Sequence, residues 1–188
     1  YQSNLEKLVR ERTEKLAETN RKLHKEIAER KRVEGELIQA QKYAGNLIDS
    51  SLDMIISVDN NRKIVEFNKA AQKAFGYKKE EVISKDVDML YDNPDYEREK
   101  ISGQLKEKQQ FIGEVNNIRK DGTVFPSFIS ASVLYDNEGK PIGAMGISRD
   151  ITLRKINERL LSKMTSEIHS SIKNKLESAR LFLSDGKA

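Results

Sequence analysis

The hydrophobic period of this chain changes twice, and that constrains its fold more than any other feature. From Leu5 to about Ile48 there is no proline, the only glycines are Gly35 and Gly45, and apolar residues recur at helical spacing. Leu16, Leu23 and Leu37 fall in one row with Arg30 in the missing place, while Asn20 and Ile27 follow Leu16 and Leu23 by four residues. Alternating steps of three and four make a coiled-coil seam. So narrow a stripe needs a partner helix to cover it, whereas a helix lying on a globular core carries a wider one. An inward asparagine such as Asn20 fixes register and favours a parallel pair at a cost in stability. Residues 1–48 are therefore expected to form the N-terminal coiled coil of a parallel homodimer.

Between Asp49 and Thr152 the period shortens to two. Met54 to Val58 and Lys63 to Phe67 are β-prone runs separated by the turn signal Asp59-Asn60-Asn61-Arg62, which reads as a hairpin. Helical stretches follow at Asn68 to Phe75, at Lys78 to Ile83, and from Asn93-Pro94 to about Gln109, where asparagine is the cap and proline the first helical residue. Phe111 to Arg119, Thr123 to Tyr135 and Lys140 to Arg149 return to strand character, divided by Asp121-Gly122 and by Asn137-Glu138-Gly139. The order β-β-α-α-α-β-β-β predicts an α+β domain over 49–152 with antiparallel neighbours. From Leu153 the helical period resumes on a face of Ile156, Leu160, Met164, Ile168, Ile172, Leu176, Ala179 and Leu183, with Gly186 as a stop. Residues 153–188 thus read as a second coiled coil.

Composition removes several function classes. At 188 residues there is room for one ordinary core plus extensions, and 37% hydrophobic with 34% charged residues suits a globular centre flanked by solvated helices. The absence of cysteine excludes disulfides, thiolate metal sites and cysteinyl-flavin photochemistry, and fits a reducing, cytoplasmic setting. A net charge of +4 invites a nucleic-acid reading, but the basic residues of RERTEKLAETNRKLHKEIAERKR are interleaved with glutamates, so no nucleic-acid partner is expected. No run approaches the roughly 18 apolar residues that cross a bilayer, so no membrane contact is expected of this stretch. Beginning at a tyrosine inside a helical pattern, the chain reads as a piece of a longer protein, which leaves a membrane-anchored parent open.

Three motifs carry a family resemblance. LIDSSLDMIISVDNNRKIVEFNKAAQKAFGY holds Asn68, Ala71 and Gly76-Tyr77; FIGEVNNIRKDGTVFP holds a G-E strand and a K-D-G turn; GISRDIT closes the region with Asp150 and Thr152. In this order and spacing, residues 49–152 closely resemble a PAS domain. The resemblance implies a PAS fold, a five-stranded antiparallel sheet with helices on one face. It also implies sensing or protein contact instead of catalysis. Asn68 is placed to cap the following helix and Gly76 to end it. By resemblance, Asp150 pairs with a basic group of the core and Thr152 anchors the output helix. Arg149 and Lys155 are the candidate partners, and sequence does not choose between them.

The inward-reading Ile56, Phe67, Phe75, Val82, Phe128 and Met145 are the candidate pocket residues, expected to serve mainly as packing, so no cofactor is expected. Both histidines, His24 and His169, lie outside the PAS region, which disfavours haem ligated by a PAS histidine. Non-covalent flavin or a small metabolite remains open.

LLSKMTSEIHSSIKNKLESARLFL resembles the phosphoacceptor helix of histidine kinases, in the subgroup whose motif reads E-L-H-D-x-I-x-Q-x-L. Glu167-Ile168-His169-Ser170, Ile172, Asn174 and Leu176 then fall in register, making His169 the candidate phosphoacceptor and Glu167 its candidate assistant. Ser170 stands where the subgroup has an acid. Two other registers fit, placing Ser166 or Ser170 at the acceptor position. The chain contains no ATP-lid motif and no P-loop, so this piece is expected to be inactive alone. The resemblance implies a two-component sensor kinase as parent and a response regulator as its partner. The alternative is a non-catalytic PAS connector in a cyclase, chemoreceptor or transcription regulator.

Overall fold

The structure is a computed structural model that describes the backbone of residues 2–185 and the side chains of residue 4 and residues 6–176. Gly186, expected as a helix stop, and the side chains of Leu5, Ala179 and Leu183 lie outside the described residues. The chain divides after Ser50 into two units. The first is one helix, α1 (Gln2–Ser50). With no proline to break it, its outer faces are laced by ion pairs one turn apart, including Glu18–Lys22 at 2.8 Å, Glu26–Arg30 at 2.7 Å and Arg32–Glu36 at 2.6 Å. Arg30, in the gap of the leucine row, thus turns to a glutamate of its own helix. Leu16, Leu23, Ile27 and Leu37 stay 48–64% exposed.

The second unit opens with the hairpin of β1 (Met54–Asp59) and β2 (Ile64–Phe67). The Asp59 carboxylate accepts the amides of Asn61 at 2.9 Å and Lys63 at 2.8 Å, closing the turn. Then come α2 (Lys69–Phe75), α3 (Lys79–Val82), a 3-10 turn (Val87–Leu90) not foreseen from the sequence, and α4 (Pro94–Lys108). The strands β3 (Gln110–Ile118), β4 (Val124–Tyr135) and β5 (Pro141–Asp150) complete a five-stranded sheet of order β2-β1-β5-β4-β3. Every adjacent pair is antiparallel. The last element is α5 (Thr152–Asp185).

Local chemistry explains the joints. Asn68 is fully buried; its Oδ1 accepts the amides of Ala71 (2.9 Å) and Ile55 (3.0 Å), and its Nδ2 donates to the carbonyl of Asp53 at 3.0 Å. One side chain therefore caps α2 and fastens it to β1. Gly76 ends α2 at φ 77°, with its N–H donating to the Gln72 carbonyl. Asn93 caps α4 in front of Pro94, as expected.

The core forms two clusters. One holds Met54, Ile64, Phe67, Phe75, Val82, Leu90 and Phe125, with Phe75 meeting Phe67 at 5.9 Å and Phe125 edge-on at 5.3 Å. The other holds Ile101, Phe111, Val115 and Ala131. Phe128 corrects the sequence expectation. Along β4 it is Phe125, Ser127 and Ala131 that are buried, and the two-residue alternation turns Phe128 to the opposite face, 43% exposed.

Candidate coupling junction and core cavity

The end of β5 and the start of α5 hold a cluster of charge pairs. Adjacent strand residues project to opposite faces, so Arg149 and Asp150 cannot serve one another. On one face Arg149 forms a two-pronged bond to Asp53, Nε to Oδ1 at 2.6 Å and Nη2 to Oδ2 at 2.8 Å, which raises the guanidinium pKa. Lys155 pairs with Glu114 at 2.7 Å. Neither is the partner of Asp150. That role falls to Arg119, just beyond β3, whose Nη2 donates to Asp150 Oδ2 at 2.7 Å.

Arg119 has two further attachments. It donates to the carbonyl of Ala74 in α2, and its guanidinium lies 3.9 Å from the centre of the Phe125 ring. The next amide, of Lys120, donates to the Phe75 carbonyl at 2.9 Å. Asp150 Oδ1 accepts the amide of Thr152 at 2.8 Å and its hydroxyl at 2.6 Å, capping the first turn of α5. Burial pushes the Asp150 carboxyl up, but the bonds from Thr152 and Arg119 outweigh it and leave the pKa below the ordinary 3.8. A continuous path of polar and ring contacts thus joins the C-terminus of α2, the β3–β4 turn and the N-terminus of α5. The sequence pointed to Asp150 and Thr152 but missed Arg119, whose only signal was its place beside the Lys120-Asp121-Gly122 turn.

A cavity of about 520 Å³ opens between the two core clusters. Its walls are mostly apolar, including Ile56, Val58, Leu90, Leu105, Val115 and Ile129. Of the six sequence candidates, Ile56, Phe75 and Met145 line it. Phe67 and Val82 are fully buried in the first cluster instead, and Phe128 belongs to the far face of the sheet. Polar groups missed by the sequence reading also face the cavity: Arg62, Tyr91, Ser102 and Asn117. Arg62, at a left-handed φ of 64°, donates to Ser102 Oγ at 3.1 Å and pairs with Asp88. Its Nε is buried and has no acceptor among the protein groups. Burial pushes the Tyr91 phenol up to about 12, so it stays protonated at neutral pH.

Along α5 the residues from Ile156 to Leu176 of the apolar row are 47–66% exposed. His169, Ser166 and Ser170 are all exposed on the same helix. Glu167 lies 3.9 Å from Lys163 one turn back. Side chains two apart on a helix do not face each other, so α5 does not bring Glu167 to His169. Among the described residues, no group of three or more His, Cys, Asp or Glu is placed to hold a metal ion, and no helix is long and apolar enough to cross a membrane.

Residues 52–153 match the profile of the PAS domain family. The sensor protein FixL of Bradyrhizobium diazoefficiens is 29% identical over 149 residues, covering 76% of this chain and 29% of that protein. The signal transduction histidine-protein kinase AtoS of Escherichia coli is 25% identical over 117 residues, covering 62% of this chain and 19% of that protein. The chain thus spans less than a third of the length of either relative. Among solved structures, the PAS domain of a Colwellia psychrerythraea protein superposes with a TM-score of 0.56 at 28% identity, over 60% of this chain and 98% of that one.

Proposed function

This chain belongs to the PAS domain family, and from that premise we propose that it is the sensory and dimerisation module of a histidine-kinase-like signal transducer. In this reading a change in the PAS core alters the packing of two α5 helices in a parallel homodimer. It thereby controls phosphorylation of His169 by the parent's ATP-binding domain and onward transfer to a response regulator.

The observation that carries the reading is the bonded path from Ala74 through Arg119 to Asp150 and Thr152. It couples the first residues of α5 to the core by groups that have one good geometry, so a shift of α2 or of the β3–β4 turn reaches the helix directly. The half-exposed apolar rows of α1 and α5 support the dimer, because such stripes are stabilised when a second helix covers them. Two packings a few kcal/mol apart make a switch, and imperfect seam residues such as Asn20, Arg30 and Ser171 lower the gap.

Ser170 beside His169, and a Glu167 that points elsewhere, favour a second reading in which α5 is only a connector to another output domain. One experiment separates the two. The full-length parent is incubated with labelled ATP as wild type, His169→Gln and Asp150→Ala. The kinase reading expects no label on His169→Gln and a label on Asp150→Ala that no longer responds to the signal. Undiminished label on His169→Gln removes the acceptor assignment and leaves the connector.

A further inference from the structure

The Arg119 path holds α5 at Thr152, where the helix begins, and draws on α2 and the β3–β4 turn. A helix fastened only at its first residue is placed but free to tilt about that point. Lys155 supplies a second fastening. It follows Thr152 by three residues, on the same side of the helix, and its Nζ pairs with Glu114 at 2.7 Å. Glu114 belongs to β3, two strands away from the β5 end that leads into α5. In the register Glu114 stands beside Phe128, and Phe128 beside Arg149, so this ion pair lies on the sheet face opposite to Asp150. The two fastenings therefore grip the first turn of α5 from the two faces of the sheet.

What holds Glu114 is a different helix. β3 is an edge strand, and the outer backbone groups of an edge strand have no neighbouring strand to bond. Side chains of α4 take their place. Lys100 Nζ donates to the Glu114 carbonyl at 2.5 Å, and Glu97 Oε1 accepts the Asn116 amide at 3.2 Å. Glu97 is only 3% exposed, and its other oxygen lies 3.5 Å from Lys100. Lys100 is further confined by the rings of Tyr96 and Phe111, whose centres are 5.6 and 5.9 Å from its Nζ. The backbone of Glu114 is thus fixed by α4, while its carboxylate fixes α5.

Resting on the sensory reading, we propose that Glu114 and Lys155 are positioning residues for the output helix, which set the tilt of α5 according to the placement of α4. Thr152 then carries displacements of α2 to the helix, Lys155 carries those of α4, and the direction of α5 depends on both. The pair is 32% exposed at Lys155 and 48% at Glu114, so it biases the helix without locking it. An ion pair this open to water shifts a two-state equilibrium by about 1.5- to 5-fold. That is enough to favour one tilt and small enough for a movement of α4 to cancel.

The test measures the tilt directly. The chain has no cysteine, so Ser132→Cys on β4 and Ser166→Cys on α5, both exposed, give one spin-labelled pair whose distance distribution is read by double electron–electron resonance. Labelled chain is diluted with excess unlabelled chain, so that only distances within one copy count. Glu114→Lys and Lys155→Glu, each alone, should lower the population of the main distance by about 1.5- to 5-fold. The double exchange should restore it, which a merely structural loss would not do. Lys100→Met, which leaves both members of the pair in place, should shift the distribution in the same direction as the single exchanges. Should that variant unfold, Asn93→Ala, which frays the start of α4, takes its place with the same expectation. The proposal is overturned if the single exchanges leave the distribution unchanged, if the double exchange fails to restore it, or if the folded α4 variant matches wild type. Any of these failures leaves the sensory reading intact, since the distance lies within one copy and that reading is decided by phosphorylation of His169 and the response of Asp150→Ala.

Discussion

The central domain and the long helices handle apolar surface in opposite ways. Inside the domain Phe67, Phe75, Phe111 and Phe125 are almost completely buried and the polar groups among them are paired through Asn68, Asn117 and Ser127. On α1 and α5 the apolar residues lie in regular rows, and among the described residues those of the rows, from Leu16 to Leu37 and from Ile156 to Leu176, remain about half exposed. The domain therefore carries its own stability, whereas the helices hold theirs in reserve for a covering surface. Such a division suits a signalling element: the receiver is rigid enough to define a state, and the transmitter is free to change partners or packing.

Four measurements can break that contrast or sharpen it. The largest effect is expected for Phe75→Ala, which removes the ring that bridges Phe67 and Phe125 and should cost about 3–5 kcal/mol of domain stability in denaturant unfolding. A loss near zero would mean that the first cluster is not the domain's keystone. Asn68→Ala comes next. It strands the amides of Ile55 and Ala71, so hydrogen exchange of the β1 and α2 amides should report a loss of about 2–3 kcal/mol.

A smaller effect belongs to Asp150. Its pKa is lowered on folding, so its contribution is complete above the unfolded value, near the ordinary 3.8, and drains away as pH falls through the lower folded value. Asp150→Asn should flatten the acid limb of the stability curve in that window and leave the neutral limb with a loss of about 1 kcal/mol. An unchanged acid limb would show that the Arg119 and Thr152 bonds do not hold in solution. The smallest effect on the domain is expected for Leu16→Lys with Leu23→Lys. Protection of the β4 amides should move by less than about 0.5 kcal/mol, while light scattering should report the loss of the proposed dimer. A large fall in β4 protection would tie the domain's stability to α1 and end the contrast.

The strands and capped helices were legible because their signals are local. A turn at Asp59 to Arg62, an asparagine before Pro94 and a glycine after Phe75 each act on the backbone beside them. What escaped the sequence was long-range and depended on the face a side chain takes. Arg119 reaches Asp150 across the intervening β4, and Phe128 differs from Phe125 only in the parity of its position. Arg62 stood in the sequence only as the last residue of a turn signal. It adopts a left-handed backbone and pairs with Asp88, 26 residues away, and a single sequence gives little warning of either. The cavity was hidden for a related reason: its wall uses the same aliphatic residues as a filled core, and volume is a property of packing.

The strand β5 ends at Asp150 and α5 begins at Thr152, so a single residue, Ile151, separates sheet from helix. Ile151 is itself buried, and its amide donates to the Pro126 carbonyl at 3.0 Å. The link has no slack in which an angular error can be absorbed. The azimuth of the Ile156 to Leu176 row is consequently dictated by the sheet, and each residue inserted or deleted after Thr152 turns everything downstream by about 100°. Spacing from Asp150, counted in residues, thus becomes a phase setting: lengths that differ by seven preserve it, and lengths that differ by one or two point the same row at a different neighbour.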